Sequence, residues 1–214
     1  MGASRLDPSS GPRLEREEID PRIERTMTVV RRAVLDELGD VGYGALTIEA
    51  VAARSGVAKS TIYRHWDDKL ALIADAFEAA HVEHVPNIET GTIRERIERL
   101  VAHVAEILVD STFSRCIPAL IEGATQDPRL RDFHYRYSSD RRRGLAQLVA
   151  DGVASGEFAP DTNSDLAAAA LLGAVFYYRL MSPQPFVPQQ ASRLVATVLP
   201  AASSRRRKTS RPAE

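Results

Sequence analysis

The chain holds one cysteine, Cys116, in 214 residues. A lone thiol excludes an intrachain disulfide and fits a reducing compartment. Aromatic residues make up only 6% of the sequence, so most of the core must come from aliphatic side chains. Net charge is nearly absent too, at −1. That balance neither announces nor forbids a nucleic-acid partner, because phosphate binding depends on a local basic surface. The longest apolar stretch, Leu166–Tyr178, is shorter than the roughly 20 residues a bilayer requires, and Gly173 lies inside it. The first twenty residues, with Pro8, Pro12 and several charges, have no signal-peptide core. These absences lead us to expect a cytoplasmic protein with no membrane partner. A Gly-rich phosphate loop, a nucleophile–base pair and a metal-ligand set are all missing, which argues against an enzyme and against a cofactor. His81 and His84 stand three apart but lack further ligands nearby, so they are expected to be ordinary exposed or packed histidines.

What is present is helical periodicity. Pro21 suits a first helical position. Ile23, Met27, Val30, Val34 and Leu38 then recur at spacings of three and four, the pattern of one apolar helix face. Gly39, Gly42 and Gly44 should stop that helix. Thr47 is placed to cap a short second helix with Ile48, Val51 and Ala52 inside. Gly56 breaks it, and a third helix carries Ile62 before Trp66. Asp67 or Asp68 caps a fourth, with Leu70, Ile73 and Phe77 inward, ended by Pro86. Further helices are expected over Thr92–Val109, after an interruption at Pro118, from Asp127-Pro128 to about Val153, from Asn163–Asp165 to about Leu180, and over Ala191–Leu199. No strand signal or internal repeat appears. The fold class is therefore all-α, with about nine helices: residues 1–20 a disordered arm, 21–67 a helix-turn-helix bundle, 68–200 a larger helical domain whose first helix is the connector, and 201–214 a basic tail.

Residues Thr47–Lys69 read TIEAVAARSGVAKSTIYRHWDDK. Two short helices share a glycine turn, and the second opens on small and polar residues. That suits a recognition helix, whose beginning must approach base edges and phosphates in the major groove. The hydroxyls of Thr47, Ser60, Thr61 and Tyr63 can donate to phosphate, as can the free N–H groups where each helix starts. Lys59, Arg64, His65 and Lys69 concentrate positive charge. Arg54 lies near the turn, and Arg22, Arg25 and Arg31 on the first helix could add phosphate contacts.

This segment resembles the N-terminal domain of the tetracycline-repressor (TetR/AcrR) family. The resemblance rests on Thr47, Val51-Ala52, Ser55-Gly56-Val57, Ala58-Lys59-Ser60 and Thr61-Ile62-Tyr63-Arg64-His65-Trp66-Asp67-Asp68-Lys69. Trp66 stands where Phe is usual, and Ala58 where Ser is common. The resemblance implies backbone contacts to double-stranded DNA from Thr47, Ser60, Thr61, Tyr63, His65 and Lys69. Lys59, Ser60 and Arg64 are then the candidates for base edges, Arg64 through the bidentate fork that matches guanine.

A fainter resemblance continues through Gly156-Glu157-Phe158-Ala159-Pro160-Asp161 and the alanine-rich helix behind it. It implies a homodimer on a palindromic operator, with Leu166, Ala170, Gly173, Phe176, Tyr177 and Leu180 as candidate interface residues. It also implies a small-molecule effector, unidentified, that releases a repressor from DNA. Candidates to line its pocket are His103, Ile107, Phe113, Cys116, Leu120, His134, Tyr137 and Tyr178, apolar with a few polar groups. The apolar neighbours of Cys116 suit an inert buried thiol. Arg141-Arg142-Arg143 reads as a solvated face, and Arg205–Lys208 as a solubilising tail or a source of nonspecific DNA affinity.

Three substitutions separate the assigned roles. Tyr63→Phe and Lys69→Ala should weaken binding to all DNA sequences alike, whereas Arg64→Ala should relax specificity. Gel-shift titrations at fixed salt against specific and scrambled duplexes check this, and unchanged affinity in all three variants would sink the assignment.

Overall fold

The computed structural model describes residues 20–83, 89–109 and 111–202, with backbone alone at 81–83. The expected arm, the stop at Pro86, the His81–His84 pair and the Arg205–Lys208 run lie outside the residues so described. Nine α-helices follow one another among the described residues: α1 Pro21–Ala45, α2 Ile48–Ser55, α3 Lys59–His65, α4 Lys69–Glu83, α5 Ile93–Val109, α6 Thr112–Gln126, α7 Pro128–Ala154, α8 Ser164–Met181 and α9 Ala191–Val198. No β-strand occurs among them. One isolated antiparallel bridge, Phe158 with Ala201, joins the α7–α8 loop to the segment that follows α9.

The helix starts follow capping chemistry. Asp20, Thr47, Ser111, Asp127 and Asn163 each accept a backbone N–H from the first turn they precede. Asp68 does the same for Ala71 at 2.8 Å, which decides between the two candidate aspartates. At the start of α5 a side chain distant in sequence serves: the Glu157 carboxylate accepts the N–H groups of Ile93 and Arg94 at 3.2 and 3.0 Å.

Two expectations about breakers need correction. Gly39 does not stop α1. It lies within the helix, where its missing side chain admits Arg115 of α6, whose Cβ would come within 3.2 Å of an added Cβ. The backbone leaves helical geometry at Gly42 instead (φ 79°, ψ 170°). Nor does Pro118 interrupt the next segment: it sits inside α6. A proline cannot donate to the carbonyl four residues back, which here belongs to Ser114. Arg179 of α8 supplies the missing donor, its Nη2 reaching the Ser114 carbonyl at 3.0 Å.

Burial falls into two clusters. The first joins α1–α4 to one face of α6 and the start of α7, through Val34, Leu38, Ile62, Trp66, Phe77, Cys116, Leu120, Phe133 and Tyr137. The second joins α5, α7, α8 and α9 through Ile97, Val101, Leu145, Val149, Phe158, Leu171 and Val195. The α1–α6 contact is the most extensive between any two helices. It is tight at Gly123, where an added Cβ would lie 2.8 Å from both Cβ and Cγ of Tyr43. These are atoms near the backbone and cannot swing aside, so the helices meet there only because residue 123 is glycine. Around this contact the Tyr43 hydroxyl donates to Asp127 at 2.5 Å, and burial raises the Tyr43 pKa.

Gly123→Ala should therefore destabilise the fold by about 1–3 kcal/mol through overpacking. Urea unfolding checks it, and a midpoint equal to wild type would show that α6 can back away from α1 at little cost.

Candidate DNA-reading surface

α2 and α3 are fixed from behind. Ile48 and Val51 of α2 and Ile62 of α3 are buried, and Trp66 closes the end of α3. Between the helices Gly56 takes a left-handed conformation (φ 69°, ψ 11°), open to glycine at little cost, which turns the chain within a few residues. The Trp66 indole Nε1 donates to Asp75 of α4 at 2.9 Å. Arg31 of α1 donates to the same carboxylate at 2.8 Å. Asp75 thus ties α1, the end of α3 and α4 together.

With Ile62 and Trp66 turned inward, α3 presents Lys59, Ser60, Tyr63, Arg64 and His65 to solvent, with Thr61 half-buried between them. Thr47 is exposed beside them; its hydroxyl accepts from Ala50 at 3.1 Å, leaving its own proton free to donate. Seven of the eight residues expected to touch DNA are therefore open to solvent on α3 or at the cap of α2. Ala58 gives α3 no side-chain cap, as its lack of a hydroxyl requires.

The eighth, Lys69, is placed differently. Its ammonium donates to the carbonyls of Tyr43 at 2.9 Å and Leu46 at 3.4 Å, and lies 4.1 Å from the centre of the Tyr43 ring. It caps the end of α1, and one of its three donors remains for a phosphate. Other expected cations are also engaged. Arg31 pairs with Asp75 and Glu24, and these carboxylates raise its pKa against the opposing effect of burial. Arg54 pairs with Glu37 and Asp40, both at 2.9 Å. These two pairs brace α1. Lys59 pairs with Glu49 of α2, which raises the lysine pKa and lowers the glutamate pKa. Glu49 was not singled out from sequence; a carboxylate on this surface declares itself only when α2 and α3 are seen side by side. Arg64 forms no ion pair among the described residues.

The residues expected to line a pocket separate. Cys116, Leu120 and Tyr137 are buried in the first cluster, Tyr178 packs on the second, and Phe113 packs against both. Cys116 donates to the Leu35 carbonyl at 3.0 Å, and burial pushes its thiol pKa up to about 12. His103, Ile107 and His134 are half-buried. His103 Nε2 and His134 Nδ1 have no hydrogen-bond partner among the described residues, and burial lowers the His134 pKa. A cleft of about 10 Å³ lies elsewhere, lined by Ala105, Leu108, Val109, Val175, Arg179, Pro185 and Phe186, none of them in the expected set. No group of three metal-ligating side chains occurs among the described residues, and no helix there is long and apolar enough to cross a membrane.

The expected interface residues mostly hold together. Leu166, Ala170, Gly173, Tyr177 and Leu180 form one exposed face of α8, continued by Met181. Leu166, Tyr177 and Met181 are 68%, 61% and 73% exposed. Nothing lies within 4 Å of a Cβ built on Gly173. Phe176 departs from the set: it is half-buried against the second cluster.

Comparison with known proteins matches residues 32–76 to the model "Bacterial regulatory proteins, tetR family" and residues 87–198 to "Tetracyclin repressor-like, C-terminal domain". The chain is 28% identical over 163 residues to the HTH-type transcriptional regulator YdeS of Bacillus subtilis strain 168, covering 76% of this chain and 82% of that protein. Its fold is similar to that of a transcriptional regulator from Pseudomonas aeruginosa PAO1, with TM-score 0.68 at 21% identity over 85% of this chain and 90% of that one. It is also similar to FadR from Bacillus subtilis in complex with stearoyl-CoA, with TM-score 0.68 at 17% identity over 81% and 97% of the two chains.

Glu49→Gln should tighten DNA binding several-fold, because it frees Lys59 and removes a charge that repels phosphate. The log–log salt slope should steepen by roughly 0.9, the value of one added phosphate contact. Affinity titrated across salt concentrations measures both, and an unchanged slope would mean that Lys59 does not reach DNA.

Proposed function

We propose, from the premise that the chain belongs to the tetracycline-repressor family of transcriptional regulators, that it is a homodimeric repressor, binding a palindromic operator in the cytoplasm and released by a small-molecule effector. The reading is carried by the surface of α3. Ile62 and Trp66 anchor the helix, while Ser60, Thr61, Tyr63, Arg64 and His65 are set out together with no competing internal ion pair among them. Hydroxyls at both ends of this surface, on Thr47 and Tyr63, hold the phosphates and fix register. Arg64 then reads a base edge. Lys69 serves first as the cap of α1 and second as a phosphate contact.

One such surface covers a single half-site. The exposed apolar face of α8 supports the second subunit: large side chains at Leu166, Tyr177 and Met181 flank the small residues Ala170 and Gly173, across which a partner helix can approach closely. A two-fold axis there would make the operator symmetric. An effector acts by preferring a conformer in which the two α3 helices no longer match successive grooves, and it weakens binding by its coupling energy.

Selection of bound duplexes from a random pool should enrich a two-fold symmetric motif; no enrichment would count against a sequence-specific regulator. The double variant Leu166→Glu/Tyr177→Glu should sediment as a monomer and lose at least about a hundredfold in affinity for that motif, the scale of a lost second attachment. A dimer of unchanged affinity would place the interface elsewhere.

A further inference from the structure

Arg179 is a half-buried cation with no opposite charge. Its Nε donates to the Ser114 hydroxyl at 2.6 Å and its Nη2 to the Ser114 carbonyl at 3.0 Å, and both acceptors are neutral. It forms no ion pair among the described residues. Arg31, Arg54, Arg115, Arg129 and Arg141 pair with carboxylates, while Arg94 and Arg99, half-buried like Arg179, donate to the neutral carbonyls of Leu199 and Thr90; of these three only Arg179 lines the cleft described above. Removing a guanidinium from water without a counter-charge is unfavourable, and a neutral acceptor offsets it less than a carboxylate would. Arg179 also lines the cleft described above, whose remaining walls, Ala105, Leu108, Val109, Val175, Pro185 and Phe186, are all apolar. A single cation at an apolar wall is complementary to one chemistry: an anionic head on a short hydrophobic body.

Ser114 is also where the helical domain meets the reading domain. Its carbonyl lacks an intrahelical donor because of Pro118, and its hydroxyl donates to the Leu108 carbonyl of α5 at 2.7 Å. The residues around it grip α1. Thr112 and Arg115 reach Asp36 at 3.4 and 3.3 Å, Arg115 reaches Asp40 at 3.2 Å, and Cys116 reaches the Leu35 carbonyl. The first turns of α6 thus touch Arg179 on one side and the reading domain on the other.

We propose that the cleft at Arg179 binds the carboxylate of a small apolar acid, and that such an acid is the effector; the second half rests on the ligand-released reading given above. The carboxylate takes the guanidinium fork in charge-assisted bonds and draws it from Ser114. The Ser114 carbonyl, which Pro118 cannot serve, is left without a donor, and the start of α6 shifts with α1 attached. The cleft as it stands has room for about one water, so binding displaces the segment that carries Pro185 and Phe186.

The test uses the full chain and two matched pairs of probes, hexanoate with 1-hexanol and benzoate with benzyl alcohol, by titration calorimetry at neutral pH. The acids should bind at least about tenfold more tightly than the alcohols, and Arg179→Gln should erase the difference. If that variant misfolds, Val109→Asp serves instead: it places a carboxylate at the exposed mouth of the cleft and should abolish acid binding. Acids that bind no better than alcohols, or that bind both variants as they bind wild type, overturn the site. With the selected operator, saturating acid should weaken DNA binding about 5- to 150-fold. Acid binding with unchanged operator affinity overturns the effector role. Failure to select any operator defeats the regulatory reading instead, and calorimetry still decides the site.

Discussion

The packing of α1 on α6 is the constraint from which the rest of the molecule takes its form. α1 supplies the reading domain with Val30, Val34 and Leu38, yet the same cluster is completed by Cys116 and Leu120 of α6 and by Phe133 and Tyr137 of α7. A three-helix unit of this size buries little apolar area by itself. Here it gains area by sharing a core with its neighbour. The cost is independence, since α1 cannot move without disturbing Asp36, Asp40 and the Leu35 carbonyl, all held from α6. α6 is thus bonded directly to the helix that supports the DNA-reading surface.

The same economy governs charge. Several cations that could have faced phosphate are used inside the protein: Arg31 on Asp75, Arg54 on Glu37 and Asp40, Lys69 on the last carbonyls of α1. What faces outward is hydroxyl together with Lys59, Arg64 and His65 on α3 and Arg22 and Arg25 at the start of α1. Hydroxyls and backbone groups fix geometry against phosphate without releasing counterions in proportion, so binding of this kind depends more on fit than on net charge. A chain of net charge −1 can then bind DNA without a strongly basic surface.

Much of this was legible in the sequence, because the signals were local. Apolar spacing, Thr47, Asp127-Pro128 and Asn163 marked helices that exist within a few residues of where they were expected. The inward set Ile48, Val51, Ile62 and Trp66 followed from periodicity, and the outward set followed by exclusion. The misreadings share one cause: each depended on a partner far along the chain. Pro118 was taken for a break because its compensating donor, Arg179, lies 61 positions later (179 − 118). Gly39 was taken for a stop, although its use is to admit Arg115. Lys69 appeared to be a free cation until the end of α1 was placed beside it. The candidate pocket residues distribute over both clusters, since hydrophobic spacing shows that a side chain is inside but not which of two cores it enters.

α8 carries these threads together. At about 100° per residue its two functions fall on opposite sides. Leu166, Ala170, Gly173, Tyr177 and Leu180 face outward, and Arg179 faces α6. A partner subunit seated on the outer face would hold α8 still. The inner face would then be a fixed post, against which α6 is held by two hydrogen bonds to one serine. Those bonds join a cation to neutral acceptors, and one of them fills a vacancy that proline created. That contact joins the helix with the exposed apolar face to the one whose first turns grip α1. On the dimeric, effector-released reading proposed above, a joint so placed is where a change in local chemistry would reach α1 and the DNA-reading surface it supports.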